Sequence, residues 1–411
     1  MASGDVFVAG IGVGCGLGWG KAALIDGLLA GRDVFAVLAR PGRQAPDGST
    51  AFIGVEMPDP PVVLPPRVER TAGLGGRAAV AVLDEAWREA GLDDVAPERI
   101  GLVDGAPDAA KPDNGGANLA AREQMLAQLA YAGRLDFVPP RHGHVFLDSE
   151  VAGLCAATYP IRGFAHSVGA ASASGAVAVL HAAEAIRSGR VDACVAVGAL
   201  QDVSYLDLAG LRALGAMGGG GRFAGQPGRA CRPFDSGHDG FLYGEVCAAL
   251  VLRRDGGGHG RILGGAQVVD GQRGPEPCGV GQGRAIAAAL AQAGLTAADI
   301  DYVNAHGTGT PKGDVTEAAT LAAAGLDHAW INAGKSVTGH GLAAAGALEV
   351  AATLLQMRAG RLHATRNLDD PLDPDLRWVR GAAVEHRIRH ALKLSFGFGG
   401  CDCALVLGAP E

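Results

Sequence analysis

Apolar residues fall along this 411-residue chain in short runs suited to buried strands, separated by small-residue segments with helical spacing. Residues 5–14 read as a buried strand passing into a glycine turn. Residues 78–90 carry apolar side chains at helical spacing and stop at Gly91, and 100–103 form a short strand. Residues 161–165 are an apolar approach to the small-residue turn Ser167-Val168-Gly169-Ala170-Ala171-Ser172-Ala173-Ser174-Gly175. Residues 176–187 then fit a helix burying Val177, Leu180 and Ile186, closed by Ser188-Gly189. Strands follow at 194–198 and 248–252.

After 253–260 the pattern starts again, with a strand at 261–269, a helix near 283–293, a strand at 302–304 and two further helices. This recurrence predicts an α/β protein of two related halves, divided here as residues 1–256 and 257–411. Pro, Gly and polar residues make 31–66, 104–118 and 215–228 loops in this reading.

Composition narrows the class. With 48% apolar and 19% charged residues the chain can pack a core, and its 65 glycines without a collagen period imply tight turns and close backbone approaches. A net charge of −8 without a long basic run argues against a nucleic-acid surface, while leaving room for a local basic patch facing an acidic carrier. No apolar span reaches membrane length and the start lacks a leader pattern, so the expectation is a soluble cytoplasmic protein. The eight cysteines are scattered without a Cys-x-x-Cys pair, which fits buried thiols rather than a metal site. Gly10-x-Gly12-x-Gly14 has the wrong spacing for a dinucleotide fingerprint.

Four stretches carry candidate chemistry. The turn around Ser172 lifts one side chain to a helix N-terminus, where free N–H groups favour a developing anion. In Asn304-Ala305-His306-Gly307-Thr308-Gly309, a histidine closing a strand can enter a cleft while its small neighbours let substrate pass. Asp314-x-x-Glu317 has capping-box spacing for the next helix, a structural role. In Lys335-Ser336-Val337-Thr338-Gly339-His340-Gly341, a histidine at a helix start is expected to be a neutral donor, and Lys335 a strut to a carboxylate. Ser395-Phe396-Gly397-Phe398-Gly399-Gly400 is a glycine-flanked aromatic loop suited to a gate.

Together these stretches, with Arg232-Pro233-Phe234-Asp235, Asp239-Gly240-Phe241 and Gly244-Glu245, resemble the β-ketoacyl synthases of the thiolase superfamily over nearly the whole chain. The resemblance implies a five-layered αβαβα fold and a homodimer or related heterodimer. It also implies an acyl carrier protein as partner, with no cofactor beyond that carrier's phosphopantetheine arm. It assigns His306 and His340 as the catalytic histidines, Lys335 and Glu245 as supporting charges, and Phe396, Gly397 and Phe398 as the gate and oxyanion loop.

Ser172 departs from that pattern, standing where the family has a nucleophilic cysteine. A thiol can be brought to its anion by a helix dipole and a histidine, whereas a serine hydroxyl starts many units higher and needs a base during attack. Decarboxylation of a malonyl thioester needs donors for an enolate and an apolar place for the departing carboxylate, with no acyl-enzyme. The two histidines beside Ser172 therefore resemble the serine-bearing ketosynthase-like decarboxylases that make acetyl from malonyl carrier protein. The other readings are condensation or acyl transfer through a Ser172 ester, a silent chain-length-factor-like subunit, and an elongating synthase engineered from Cys to Ser.

Overall fold

The chain runs through one series of elements and then repeats it. The first series is β1 (Val6–Cys15), α1 (Leu74–Ala90), β2 (Ile100–Gly105), α2 (Glu150–Thr158), β3 (Phe164–Ser167), α3 (Ser174–Arg187), β4 (Ala193–Gly198) and β5 (Val246–Arg253). The second is β6 (Arg261–Val269), α4 (Gly279–Ala293), β7 (Tyr302–Asn304), α5 (Pro311–Ala323), β8 (Trp330–Asn332), α6 (Ala345–Ala359), β9 (His390–Gly397) and β10 (Cys401–Gly408). The computed structural model describes residues 6–105, 149–220, 223 and 225–410, so most of the loop expected over 104–118 and part of that over 215–228 lie outside the described residues.

Strand order repeats as well. The first half runs β1-β5-β4-β2-β3 and the second β6-β10-β9-β7-β8. In each, the strands from the βαβ units pair in parallel and the two nearest the seam pair antiparallel. The halves meet where β1 and β6 pair antiparallel through Val6↔Ile262 and Phe7↔Arg261.

Apolar packing arranges these elements in five layers. Ala79, Val82, Leu83 and Ala86 of α1, spaced for one helical face, pack with Ala152 and Cys155 of α2 against Ile100, Leu102 and Val195. Ala285, Ile286 and Ala289 of α4 join Ala318 and Leu321 of α5 against Leu392, Leu394 and Val406. Between the two halves of the sheet lie α3 and α6, whose Val177, Leu180, Leu348 and Leu354 share a core with Ile11, Leu250 and Leu405. This is the thiolase-like αβαβα arrangement expected from the sequence.

The central helices touch through glycine. A Cβ on Gly346 would stand 2.5 Å from the Ala176 nitrogen, and one on Gly175 would stand 2.8 Å from the Ala347 nitrogen, so both positions exclude any side chain.

Three element expectations change. The excursion over 31–66 is not wholly irregular, because Ala36–Val37 and Ile53–Val55 form a small sheet with Tyr243–Gly244. Helix α4 begins at Gly279 rather than 283, and β3 covers the partly exposed Phe164–Ser167 rather than 161–165. Among the described residues no helix is long and apolar enough to cross a membrane, and no group of three or more His, Cys, Asp or Glu is placed to hold a metal ion.

Candidate active site

Ser172 lies in the 3-10 turn Ala171–Ala173, directly ahead of α3. Ala171 has a φ of 46°, a left-handed value that costs an L-residue about 1–2 kcal/mol. The turn is held by Ser174, whose Oγ accepts the Ala170 N–H at 2.9 Å and donates to the Ala171 carbonyl at 2.7 Å. Ser172 is thereby left half-buried at the wall of a cleft.

His340 faces it from the second half, with Nε2 at 3.0 Å from Ser172 Oγ. The Leu342 backbone N–H donates to His340 Nδ1 at 3.2 Å. Nδ1 is thus an acceptor, the neutral ring carries its proton on Nε2, and that N–H donates to the serine. Burial holds the imidazole well below its ordinary pKa, with Lys335 and Lys393 adding repulsion. Neutrality was expected from a helix dipole, but α6 begins only at Ala345, so burial is the main cause.

His306 follows β7 and its ring meets that of His340 edge-on, 5.6 Å between centroids. It too is held well below the ordinary value, by burial first and Lys335 second. The Lys335 ammonium reaches His306 Nδ1 at 3.4 Å and its carbonyl at 2.5 Å, which again leaves the ring proton on Nε2.

Asp314 and Glu317 do not cap a helix. Thr310 precedes α5 without a side-chain cap, and both acids fold back onto the loop that bears His306. Glu317 accepts the backbone N–H groups of His306 at 2.7 Å and Gly307 at 2.8 Å, and burial pushes its carboxyl up to about 7. Asp314 accepts from Thr308 at 3.1 Å, Gly309 at 3.0 Å and Phe234 at 2.6 Å. Gly307 and Gly309 give the loop its positive-φ turns without steric cost, and Asp314 ties it to the separate segment at Phe234.

The carboxylate partner of Lys335 is Glu349 of α6, at 2.5 Å, and Lys393 of β9 reaches the other oxygen of Glu349 at 2.9 Å. All three are almost wholly buried, so each charge depends on the others. Glu245, expected as a support, is taken up elsewhere. It pairs with Arg40 at 2.8 Å and Arg43 at 2.6 Å and accepts the Met57 N–H, pinning the 31–66 excursion to the body of the protein. Sequence reading missed Glu349 and Lys393, although a lone acid in the apolar run Ala345–Ala359 and a lone lysine in β9 each call for a buried partner.

Ser172, His306, His340, Phe396, Gly397 and Phe398 line one cleft of about 1230 Å³. The Phe396 ring lies edge-on to His306 at 5.6 Å, and Phe398, 38% exposed, stands in the turn between β9 and β10. A Cβ on Gly397 would stand 2.3 Å from the Ala170 carbonyl oxygen, so the aromatic loop sits directly against the Ser172 turn.

A family model described as the β-ketoacyl synthase N-terminal domain matches residues 3–256, and one described as the C-terminal domain matches 259–369. The chain belongs to the β-ketoacyl synthase family. Over 98% of its length it is 44% identical to the polyketide biosynthesis malonyl-ACP decarboxylase PksF of Bacillus subtilis, covering 96% of that protein. It is 32% identical to the tetracenomycin polyketide synthase ketoacyl synthase alpha subunit of Streptomyces glaucescens, covering 99% of this chain and 97% of that one. A solved type II polyketide ketosynthase in complex with its acyl carrier protein aligns with a TM-score of 0.84 at 25% identity, covering 99% of both chains. Within this synthase frame, the residue facing His340 is a hydroxyl.

Proposed function

We propose that this ketosynthase-family protein is a decarboxylase that converts malonyl-acyl carrier protein to acetyl-acyl carrier protein in polyketide biosynthesis. The observation that carries this reading is the state of the two histidines. Each has Nδ1 occupied by a donor and Nε2 left as an N–H, so neither offers a lone pair to draw the proton from Ser172. A serine without a base is a poor nucleophile, whereas two fixed N–H donors suit the oxygen of a thioester enolate. Phe396 and Phe398 supply apolar surface for the carboxylate as it becomes carbon dioxide. The 44% identity to a malonyl-ACP decarboxylase supports the same assignment.

The malonyl unit would arrive on a phosphopantetheine arm, and no further cofactor is invoked. Eight free thiols fit a reducing cytoplasm. A dimer is supported by kinship, since a solved relative at 28% identity is a ketosynthase/chain length factor pair. The competing ester mechanism through Ser172 requires His306 or His340 to act as base, which their tautomers oppose.

The test is intact-protein mass spectrometry after incubation with malonyl carrier protein. Acetyl carrier protein forms and no acyl mass appears on the enzyme. An unchanged malonyl carrier would overturn the assignment, and an acyl-enzyme that turns over would replace it with the ester mechanism.

A further inference from the structure

Loss of carbon dioxide leaves the electron pair of the broken C–C bond on the malonyl α-carbon and the thioester oxygen. An acetyl product then needs one proton at that carbon. Condensation would consume the carbanion with an acyl group, but simple decarboxylation requires an acid in the cleft.

We propose, resting on the decarboxylase reading, that Ser172 is this acid: its hydroxyl delivers the proton to the α-carbon of the enolate. The Oγ–H bond breaks as the Cα–H bond forms, and the pair left on Oγ is a transient alkoxide. Water entering the cleft returns the proton, so one solvent proton is taken up per carbon dioxide released.

The hydrogen-bond pattern leaves Ser172 free for this step. Its Oγ accepts from His340 Nε2–H at 3.0 Å, and among the described residues its own proton meets no acceptor. An enolate oxygen held by the same Nε2–H lies beside Oγ, and the α-carbon is two bonds from that oxygen. The alkoxide would form where it is best tolerated, against the His340 N–H and ahead of the N-terminus of the 14-residue helix α3. Serine is a weak acid, but its alkoxide is a weaker base than a thioester carbanion, so the transfer runs downhill. A hydroxyl that is unsuited to attack is therefore suited to quench.

The charged groups next to the histidines are already engaged. The Lys335 ammonium is bound by Glu349 and the His306 carbonyl, and Glu317 accepts two backbone N–H groups. The histidine N–H groups are the enolate donors. Asp402 is a buried carboxyl in the same cleft, but it sits opposite Phe396 across β9 and β10, and its Oδ2 lies near Gly281 of α4. It is a competing acid that the experiment must separate.

The test is the stereochemical course of protonation. Malonyl carrier protein with one tritium and one protium at the α-carbon, in defined configuration, is turned over in deuterium oxide, and the configuration of the acetyl methyl group is determined. Wild type gives one configuration. Ser172→Ala forms acetyl about 10²-fold more slowly and gives a racemic methyl, the loss expected of a missing general acid. Ser172→Thr, which keeps a hydroxyl, restores the configuration, and Asp402→Asn retains it. A racemic wild-type product, a single configuration from Ser172→Ala, or loss of configuration in Asp402→Asn instead would overturn the proposal. A wild-type enzyme that leaves malonyl carrier protein unchanged would remove the decarboxylase reading itself.

Discussion

Ala171 and Leu342 occupy matching places in the two halves. They hold φ values of 46° and 50°, each opens a three-residue 3-10 turn, and each leads to a glycine, Gly175 or Gly346, pressed against the opposite helix. The side chains on these matched backbones differ. The first turn presents Ser172 where the second has the buried Ala343, and the second places His340 two residues ahead of its strained residue where the first has Gly169. Along the helices, Glu349 of α6 matches Ala178 of α3. One backbone scaffold thus occurs twice, and the chemistry is divided between its two occurrences. The first half gives a hydroxyl, and the second gives the imidazoles and the buried charges that fix them.

The largest effect should come from imposing the first half's residue on the second. Glu349→Ala leaves the ammonium groups of Lys335 and Lys393 facing each other without their carboxylate, in a region almost closed to water. Removing one partner of such a buried cluster costs about 3–5 kcal/mol, which chemical denaturation would measure. Glu245→Gln disturbs Arg40 and Arg43 at the 31–66 excursion instead, so in folded protein it should spare turnover. Equal loss of specific activity in both variants would return Glu245 to the catalytic machinery.

Next come the donors that only the second half provides. His306→Ala or His340→Ala should lower acetyl carrier protein formation by about 10²–10³-fold, the usual cost of one oxyanion donor. Normal turnover in either variant would contradict the enolate-holding role.

The same histidines set a pH dependence. In the unfolded chain they protonate near 6.5, while burial keeps them neutral in the folded protein at that pH. Their contribution to stability is complete above the unfolded value and is lost progressively as pH falls toward the lower folded value. Activity should follow the folded value, because protonation at Nδ1 would oppose the donors from Leu342 and Lys335. The acid limb of kcat/KM should therefore fall below the ordinary histidine midpoint. A limb centred on that midpoint would mean that the imidazoles are far better solvated than their burial implies.

How much of this division could be read in the sequence depended on the range of the interaction. The Ser172 turn, the His306 loop and the Lys335 to His340 stretch announced themselves because small residues and glycines are needed locally, at strained or closely packed backbone. The repeated strand and helix pattern was legible because each apolar run packs within one layer. Glu349 was missed and Glu245 misplaced because buried ion pairs join residues far apart in the chain, and spacing does not say which acid meets which base. Asp314 and Glu317 sat at capping distance from one another, yet they accept the N–H groups of a loop behind them, a choice made by tertiary packing. The β3 edge was placed too early because an exposed strand has little apolar signature.

The smallest effect tests the matched backbones directly, by making one substitution in both turns. Glycine at position 171 relieves a left-handed conformation worth about 1–2 kcal/mol. It also gains unfolded-state entropy worth about 0.5–1 kcal/mol, which opposes that relief. Ala171 is exposed and loses little packing, so Ala171→Gly should leave stability level or raise it by about 0.5 kcal/mol. Leu342 shares the same φ but is buried in a cluster with Phe241 and Tyr243, so Leu342→Gly should lose about 2 kcal/mol despite the same relief. Thermal denaturation of the two variants reads the difference. Opposite signs mean that the strain is common to both turns and only the second is tied down by packing. A large loss in both would instead show that the Ala171 methyl, with Gly397 close by, helps to hold Ser172 in place.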